Sequence, residues 1–235
     1  MEAMDIARFE APEPWGSRTP RPHDPDYRPP PEPAVNAPWP VVVASVGVIA
    51  IYILQTQAPF LGPALAFSPA QLVHGHLEGL ITHQFVHGSW PHVLINAGFI
   101  LAFGAPVSRF LGGRAGGAVA FFGFFFLCGV LGALGFAFLH WGVNVGMVGA
   151  SGAGSGLMGG AARLIGGDGR VGPVFSRSVI AMGAAWVVVN IIMAFTGGAL
   201  MPGAGDAGIA WEAHLAGFAA GVLLIGPFGW LAGRR

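Results

Sequence analysis

The sequence predicts an all-α membrane protein in which six helices cross the bilayer and both chain termini lie in the cytoplasm. Of the 235 residues, 54% are hydrophobic and only 9% are charged, whereas soluble domains carry about 25% charged residues. Six apolar stretches approach the length needed to cross the hydrocarbon core, about 20 helical residues. The positive residues fall on alternate connections between these stretches, which fixes the predicted orientation.

The first 38 residues form a tail that differs in composition from the rest of the chain. They hold ten of the 19 prolines and seven of the 11 acidic residues. A segment of this kind cannot bury a hydrophobic core, so we expect it to be disordered. The predicted domains are therefore a cytoplasmic tail, residues 1–38, and a membrane domain, residues 39–235.

The six predicted spans are 39–54, 92–110, 115–140, 148–165, 178–197 and 208–231. The fourth span is rich in glycine and alanine, and its hydropathy is weak. A helix surrounded by other helices can be built from such small residues. We therefore keep it as a span.

The arginines divide the connections into two classes. The chain has 11 arginines and no lysine, and they lie in the tail (Arg8, Arg18, Arg21, Arg28), after span two (Arg109, Arg114), after span four (Arg163, Arg170, Arg177) and at the C-terminus (Arg234, Arg235). Because cytoplasmic connections are enriched in positive residues, six spans with both ends inside produce this pattern. Tryptophans then mark the outer interface (Trp90, Trp141, Trp211) and the inner one (Trp39, Trp230).

The outer connection between spans one and two, residues 55–91, has predicted structure of its own. Ser68 followed by Pro69 is typical of a helix N-cap with proline at the first helical position. We expect a helix from there through Leu77. A second short helix, with His83 and His87 on one face, should then lead into span two.

Charge and cysteine content exclude several classes of function. With 11 basic and 11 acidic residues the net formal charge is zero, so no nucleic-acid partner is expected. The single cysteine, Cys128, allows no disulfide framework and no cysteine-based metal site. His74, His76, His83 and His87 offer an alternative metal site, although no acid or cysteine stands at ligand spacing. No metal or other cofactor is expected.

Ser151 lies among small residues, about one turn inside the predicted fourth span. Gly152, Gly156 and Gly160 form a stripe of small residues that favours close helix packing. A serine in such a stripe can be a simple packing residue or a nucleophile at the outer end of a buried helix. Both interpretations stay open for this segment alone.

The sixth span carries His214, and a histidine inside a membrane span is costly unless it faces a partner or water. It is either a structural histidine bonded to a carbonyl or a functional one. Gly217 and Gly221 would let its helix approach span four closely, so that His214 and Ser151 meet. His92 and Asn96, four residues apart on span two, lie on one helix face near the same outer level.

These motifs together resemble the rhomboid family of intramembrane proteases over about residues 39–231. The matching segments are Gly149-Ala150-Ser151-Gly152 with Gly156-Leu157, Ala213-His214-Leu215 with Gly217 and Gly221, and His87 followed by His92-Val93-Leu94-Ile95-Asn96. The resemblance implies a six-helix rhomboid-type bundle and a catalytic dyad of Ser151, as nucleophile, and His214, as general base. It also implies that the backbone N–H of Ser151 and the side chains of His92 and Asn96 bind the oxyanion. The simpler interpretation of His92 and Asn96 is that they cap and anchor span two.

Three positions depart from the family pattern. Glu78-Gly79 stands where rhomboids usually have Trp-Arg, Ser108 replaces a usual glutamate, and Ser155 replaces an aromatic residue that packs on the catalytic histidine. The Ser155 departure removes the expected stacking surface. His214 then needs another restraint.

The expected function is cleavage of peptide bonds in or near transmembrane segments of other membrane proteins, with the bilayer and those substrates as partners. The resemblance implies a preference for small residues at the cleavage site. Two alternatives remain, a catalytically inactive relative that binds or escorts membrane proteins and a channel or transporter. The arginine-rich, lysine-free composition favours a bacterial cytoplasmic membrane, with the site facing the outer side.

Overall fold

The structure is a computed structural model that describes residues 36–112, 115–196 and 208–234. Except for Asn36, these residues belong to a unit that begins at Ala37. Within them the regular structure is helical, apart from one isolated bridge between Phe67 and Met147. Nearly all of the predicted tail, and Arg114 and Arg235, lie outside the described residues.

Six long helices lie close to the predicted spans. They are α1 (Trp39–Gln57), α5 (Trp90–Leu111), α6 (Ala115–Leu139), α7 (Ser151–Ile165), α8 (Arg177–Phe195) and α9 (Trp211–Leu231). Short helices occupy the connection between α1 and α5, namely α2 (Leu61–Leu65), α3 (Pro69–Val73), α4 (Gly79–Thr82) and a 3₁₀ turn (His83–Phe85). Each long helix begins and ends within three residues of its predicted bounds.

Five of the long helices described here, α1, α5, α6, α8 and α9, are long and apolar enough to cross a membrane. Helix α7 has 15 residues, a length of about 22 Å at ~1.5 Å per residue, which is short of a hydrocarbon core of about 30 Å. The structure therefore supports five spans by length and composition. The six-span count stays a prediction.

Helix α7 is the centre of the bundle. All but three of its 15 residues are buried, and it packs against α5, α6, α8 and α9. Its glycine and alanine content follows from this position, because small side chains let four neighbouring helices approach its backbone. The prediction of a helix enclosed by other helices is confirmed.

The predicted cap at Ser68 is confirmed, but the helix that follows is shorter than predicted. The backbone N–H of Ser68 donates to Oε1 of Gln71 at 3.0 Å, and the Ser68 side chain accepts in return, which forms a capping box. The helix ends at Val73 rather than Leu77, because Gly75 turns the chain with φ of +77°.

The predicted second short helix carrying His83 and His87 together is also wrong. His83 begins a 3₁₀ turn that ends at Phe85, and Val86 is extended, so His87 lies beyond the helical residues. Hydrogen bonds join the segment between α1 and α5 to the rest of the bundle. The side chain of Gln55 exchanges two hydrogen bonds with the backbone of His87, of 2.8 and 3.0 Å, and Phe67 pairs with Met147 just before α7.

Candidate active site

A cavity of about 550 Å³ opens between α5, α7, α8 and α9. It is lined by all four side chains for which chemistry was predicted: His92, Asn96, Ser151 and His214. Residues from three separate helices thus meet at one place, as the sequence predicted.

Ser151 is the first residue of α7, not one turn inside it as predicted, because the chain before it makes a sharp turn. Gly149 has φ of +112°, a backbone conformation that residues other than glycine rarely adopt. A Cβ at Gly149 would also lie 2.7 Å from Nε2 of His92. This position therefore requires glycine both for its backbone conformation and for space.

The side chains of Ser151 and His214 are in contact. Oγ of Ser151 lies 2.8 Å from Nε2 of His214. His214 stands in the first turn of α9 and is 5% exposed. The predicted meeting of these two side chains is confirmed as geometry.

Glycines bring the two helices close enough for this contact. A Cβ at Gly217 would collide with the carbonyl of Gly152, and one at Gly221 with the carbonyl of Gly156. Gly156 also faces Cys128, which is fully buried in the core. Gly160 is less confined, since its nearest neighbour is Cζ of Phe124 at 3.0 Å.

The second ring nitrogen of His214 is held by a residue that sequence reasoning missed. Nδ1 of His214 lies 2.7 Å from Oδ1 of Asn190, a buried residue of α8. The Asn190 side chain in turn donates from Nδ2 to the carbonyl of Trp186 at 2.8 Å. An amide in the middle of an apolar span was the available signal, because such groups need partners.

Trp186 supplies the ring contact that Ser155 cannot. The ring centroids of Trp186 and His214 lie 5.7 Å apart, with planes inclined by 37°. Ser155 is fully buried and donates from Oγ to the carbonyl of Ser151 at 2.7 Å. Trp186 of α8 therefore restrains the His214 ring in place of the aromatic residue that Ser155 replaces.

His92 and Asn96 place nitrogen atoms beside Gly149, two residues before Ser151. Nδ1 of His92 accepts the N–H of Gly88 at 3.4 Å, so a neutral His92 ring carries its proton on Nε2. Nε2 and the Asn96 amide nitrogen both lie close to the position of a Cβ at Gly149. Among the described residues, the buried Asn96 Nδ2 has no hydrogen-bond partner.

Two histidines of the segment between α1 and α5 hold the turn before Ser151. The carbonyl of His83 accepts the N–H of Gly149 at 2.9 Å, and Nε2 of His87 accepts the N–H of Ala150 at 3.4 Å. Burial lowers the pKa of His83 to about 4. Burial, and then the nearby His92, lower the pKa of His87 to about 3.

Of the remaining sequence features, His83 lines the cavity, whereas His74, His76, His87, Glu78 and Ser108 do not. In the described part of the chain no three His, Cys, Asp or Glu side chains group as metal ligands, so His74, His76, His83 and His87 form no such site. Glu78 is exposed and contacts His76 at 3.3 Å. Ser108 is buried near the C-terminal end of α5 and, among the described residues, its hydroxyl has no partner.

Comparison with known proteins agrees with this architecture. The rhomboid domain family matches residues 74–231, which is more than half of the chain and contains the whole cavity-lining set named above. No curated protein matches the sequence. With its apolar helices and this match, the chain is a multi-pass integral membrane protein that belongs to the rhomboid family.

Proposed function

We propose that this protein is an intramembrane serine endopeptidase, with Ser151 as nucleophile and His214 as general base. The observation that carries the proposal is the 2.8 Å contact between Oγ of Ser151 and Nε2 of His214 in the wall of a cavity. Nucleophile and base within hydrogen-bond reach, with the base oriented by a third group, are typical of activated serine nucleophiles.

The proposed reaction proceeds in two halves. Oγ of Ser151 attacks the scissile carbonyl carbon while its proton passes to Nε2 of His214, and the C–N bond then breaks as His214 returns that proton to the departing amine. A water molecule next attacks the acyl-enzyme ester and gives a proton to His214. The ester bond breaks, the proton returns to Oγ, and the carboxylic acid product leaves.

Three donors are proposed to bind the oxyanion, namely the backbone N–H of Ser151, Nε2 of His92 and Nδ2 of Asn96. Ser151 begins α7, and the first four N–H groups of a helix have no partner within it. A buried amide nitrogen without a partner is rare in proteins. The unpartnered Nδ2 of Asn96 therefore supports a role toward a group that enters the cavity.

The proposed substrates are transmembrane segments of other proteins. Apolar side chains from α5 and α8, including Ile95, Phe99, Val189 and Met193, line the cavity beside the polar groups. A helix hides its carbonyls in backbone hydrogen bonds, so it must unwind before attack. Substrates with small or helix-breaking residues near the outer interface should be preferred.

The proposed topology has six spans, with both termini in the cytoplasm of a bacterium and the cavity toward the outer side. The arginine distribution supports this orientation. The central position of α7 supports its being a short fourth span enclosed by protein, which brings the number of spans to six.

Cleavage of a single-span fluorescent substrate by the purified protein in liposomes tests the activity. Ser151→Ala and His214→Ala should each lower kcat on the order of 10⁴-fold or more, and the double variant should lose little further. A fluorophosphonate probe should label the wild type and not Ser151→Ala. Wild-type cleavage no faster than Ser151→Ala across a substrate panel would favour an inactive binding protein.

Asn96→Ala tests the oxyanion assignment. Loss of one such donor lowers kcat by about 10²–10³, and KM should change little. Asn144→Ala, at an exposed amide that contacts Ser68 outside the cavity, is the matched control and should leave the rate unchanged. If Asn96 only anchors α5, both variants will cleave at the wild-type rate.

A further inference from the structure

Resting on this proposed function, we propose that Asn190 is a positioning residue for His214. Its side-chain oxygen holds the proton of the imidazole on Nδ1 and so keeps Nε2 free to accept the proton of Ser151. The site is then a chain of three hydrogen bonds that runs from Ser151 through His214 and Asn190 to the backbone of α8.

The carbonyl of Trp186 fixes which way the Asn190 amide points. One end of that amide lies 2.8 Å from this carbonyl oxygen, which can only accept. That end must therefore be the NH₂ group, because an oxygen there would face another acceptor. The opposite end, 2.7 Å from His214, is thus the amide oxygen.

The orientation of the amide in turn decides the tautomer of His214. An oxygen at 2.7 Å requires Nδ1 to carry hydrogen. In a neutral ring Nε2 is then unprotonated, and it accepts the hydroxyl of Ser151 at 2.8 Å. A general base needs this tautomer, since a proton already on Nε2 would block transfer from the serine.

Asn190 is well placed to hold the ring rigidly. It is 1% exposed and, with Val179 and Met193, makes up the buried positions described on α8. Trp186, one turn earlier, adds the ring contact with His214. One turn of α8 therefore restrains the imidazole through a hydrogen bond at Nδ1 and through contact with an indole.

A structural interpretation predicts different behaviour. Polar side chains also join helices within membranes, and in that role Asn190 would stabilise the α8 and α9 pair without affecting the chemical step. The two roles differ in what they do to kcat and to the position of one proton.

Histidine ¹⁵N NMR of the wild-type protein in micelles at neutral pH measures that proton directly. The His214 signals, identified by their loss in His214→Ala, should show a protonated Nδ1 and an unprotonated Nε2. A proton on Nε2, or a comparable mixture of both tautomers, overturns the proposal. This measurement requires neither a folded Asn190 variant nor enzymatic activity.

Kinetics supply the second test. Asn190→Leu, in which the side chain is similar in size but has no acceptor, should lower kcat about 10- to 100-fold. This loss lies between the effect of removing one neutral hydrogen bond and the effect of altering the third residue of a charged triad, which is about 10⁴-fold. KM should stay within about twofold. Asn190→Asp, which keeps an acceptor for Nδ1, should recover much of this loss.

The matched control is Thr196→Val, which removes a hydroxyl whose partners among the described residues are the carbonyls of Ile192 and Met193, both on α8. If Asn190→Leu has the kcat of Thr196→Val, or if Asn190→Asp is as slow as Asn190→Leu, Asn190 does not position the base. If the wild type itself shows no Ser151-dependent cleavage, the proposed function fails instead. The NMR result still decides the geometry of the ring.

Discussion

At the scale of single residues, the turn that presents Ser151 depends on histidines that must stay neutral. Nε2 of His87 accepts the N–H of Ala150. A protonated His87 would turn this acceptor into a donor facing another donor. His83 stays neutral for a different reason: its Nδ1 donates to the carbonyl of Gly79 at 2.8 Å, and its ring is almost fully buried, which disfavours a charge.

These two histidines predict a loss of stability in acid. Their pKa values in the folded protein, about 4 for His83 and about 3 for His87, lie below the ordinary value near 6.5. Below that value the unfolded chain binds more protons than the folded one, so stability is fullest above about pH 6.5 and falls as the pH drops toward 4. The loss is at most about 1.4 kcal/mol per pH unit for each histidine.

Thermal unfolding of the Ser151→Ala protein in micelles, compared between about pH 7 and pH 5, measures this loss. His87→Gln should make the dependence shallower, because it removes one titrating group and keeps a possible acceptor. His76→Gln, at an exposed position, is the control and should keep the wild-type slope. An unchanged slope in His87→Gln would contradict the assignment.

The residues of the site differ in how far the sequence could reveal them. Ser151, His214, His92 and Asn96 stand in short motifs whose spacing is visible in the chain. Asn190 belongs to no such motif. Its meeting with His214 depends on how α8 rotates against α9, and two helices of this kind are not set in register by sequence spacing. His83 and His87 could be identified in the sequence, but their contacts with the turn at Gly149 depend on the path of an irregular segment.

At the scale of elements, the packing of α7 against α9 sets the geometry of the site. The two helices approach through backbone atoms at Gly156 and Gly221, where a side chain has no room. Gly→Ala substitutions in helices ordinarily stabilise, because alanine is the better helix former. At this crossing the steric cost should dominate.

Gly221→Ala is therefore expected to destabilise the protein by about 1–3 kcal/mol or more, as overpacking of a close contact does. The new methyl group would meet the backbone of Gly156, which cannot rotate away. Gly98→Ala, on α5 with no atom within 4 Å of the added Cβ, should be neutral or slightly stabilising. Thermal unfolding in micelles compares the two. Equal stability of both variants would show that the helices separate at little cost.

The ends of helices were predictable where a capping residue or a proline marks them, and not elsewhere. Ser68 and Pro69 mark the start of α3 correctly. The end of α3 was placed four residues too late, because Gly75 was not recognised as a turn residue. The start of α7 was placed three residues too early, since apolar Val148 and Ala150 continue the pattern of the span although Gly149 turns the chain.

At the scale of the whole molecule, five apolar helices and a central helix of small residues form one bundle. Hydropathy predicted the approximate position of five of its long helices, and the small residues of the fourth span predicted α7. Neither signal predicted their arrangement around α7, because small-residue packing permits several neighbours. The orientation in the membrane remains a prediction from the arginines.

Cysteine labelling tests that orientation, and the chain suits it because its single cysteine is buried. In a Cys128→Ala background, Asn144→Cys lies between α6 and α7, and Pro173→Cys lies between α7 and α8; both positions are exposed. A membrane-impermeant maleimide should label Asn144→Cys in intact cells and Pro173→Cys only after permeabilisation. The opposite pattern would reverse the topology.

The bond between His214 and Asn190 has an electrostatic consequence for a site placed in a membrane. Ser151, His214 and Asn190 contribute a hydroxyl, a neutral imidazole and an amide. Before substrate binds, none of these three groups has to be buried as an ion in a medium of low permittivity. The Born energy of a permanent carboxylate is avoided. Formal charge would arise only when oxyanion and imidazolium form together, as an adjacent pair whose fields largely cancel at a distance.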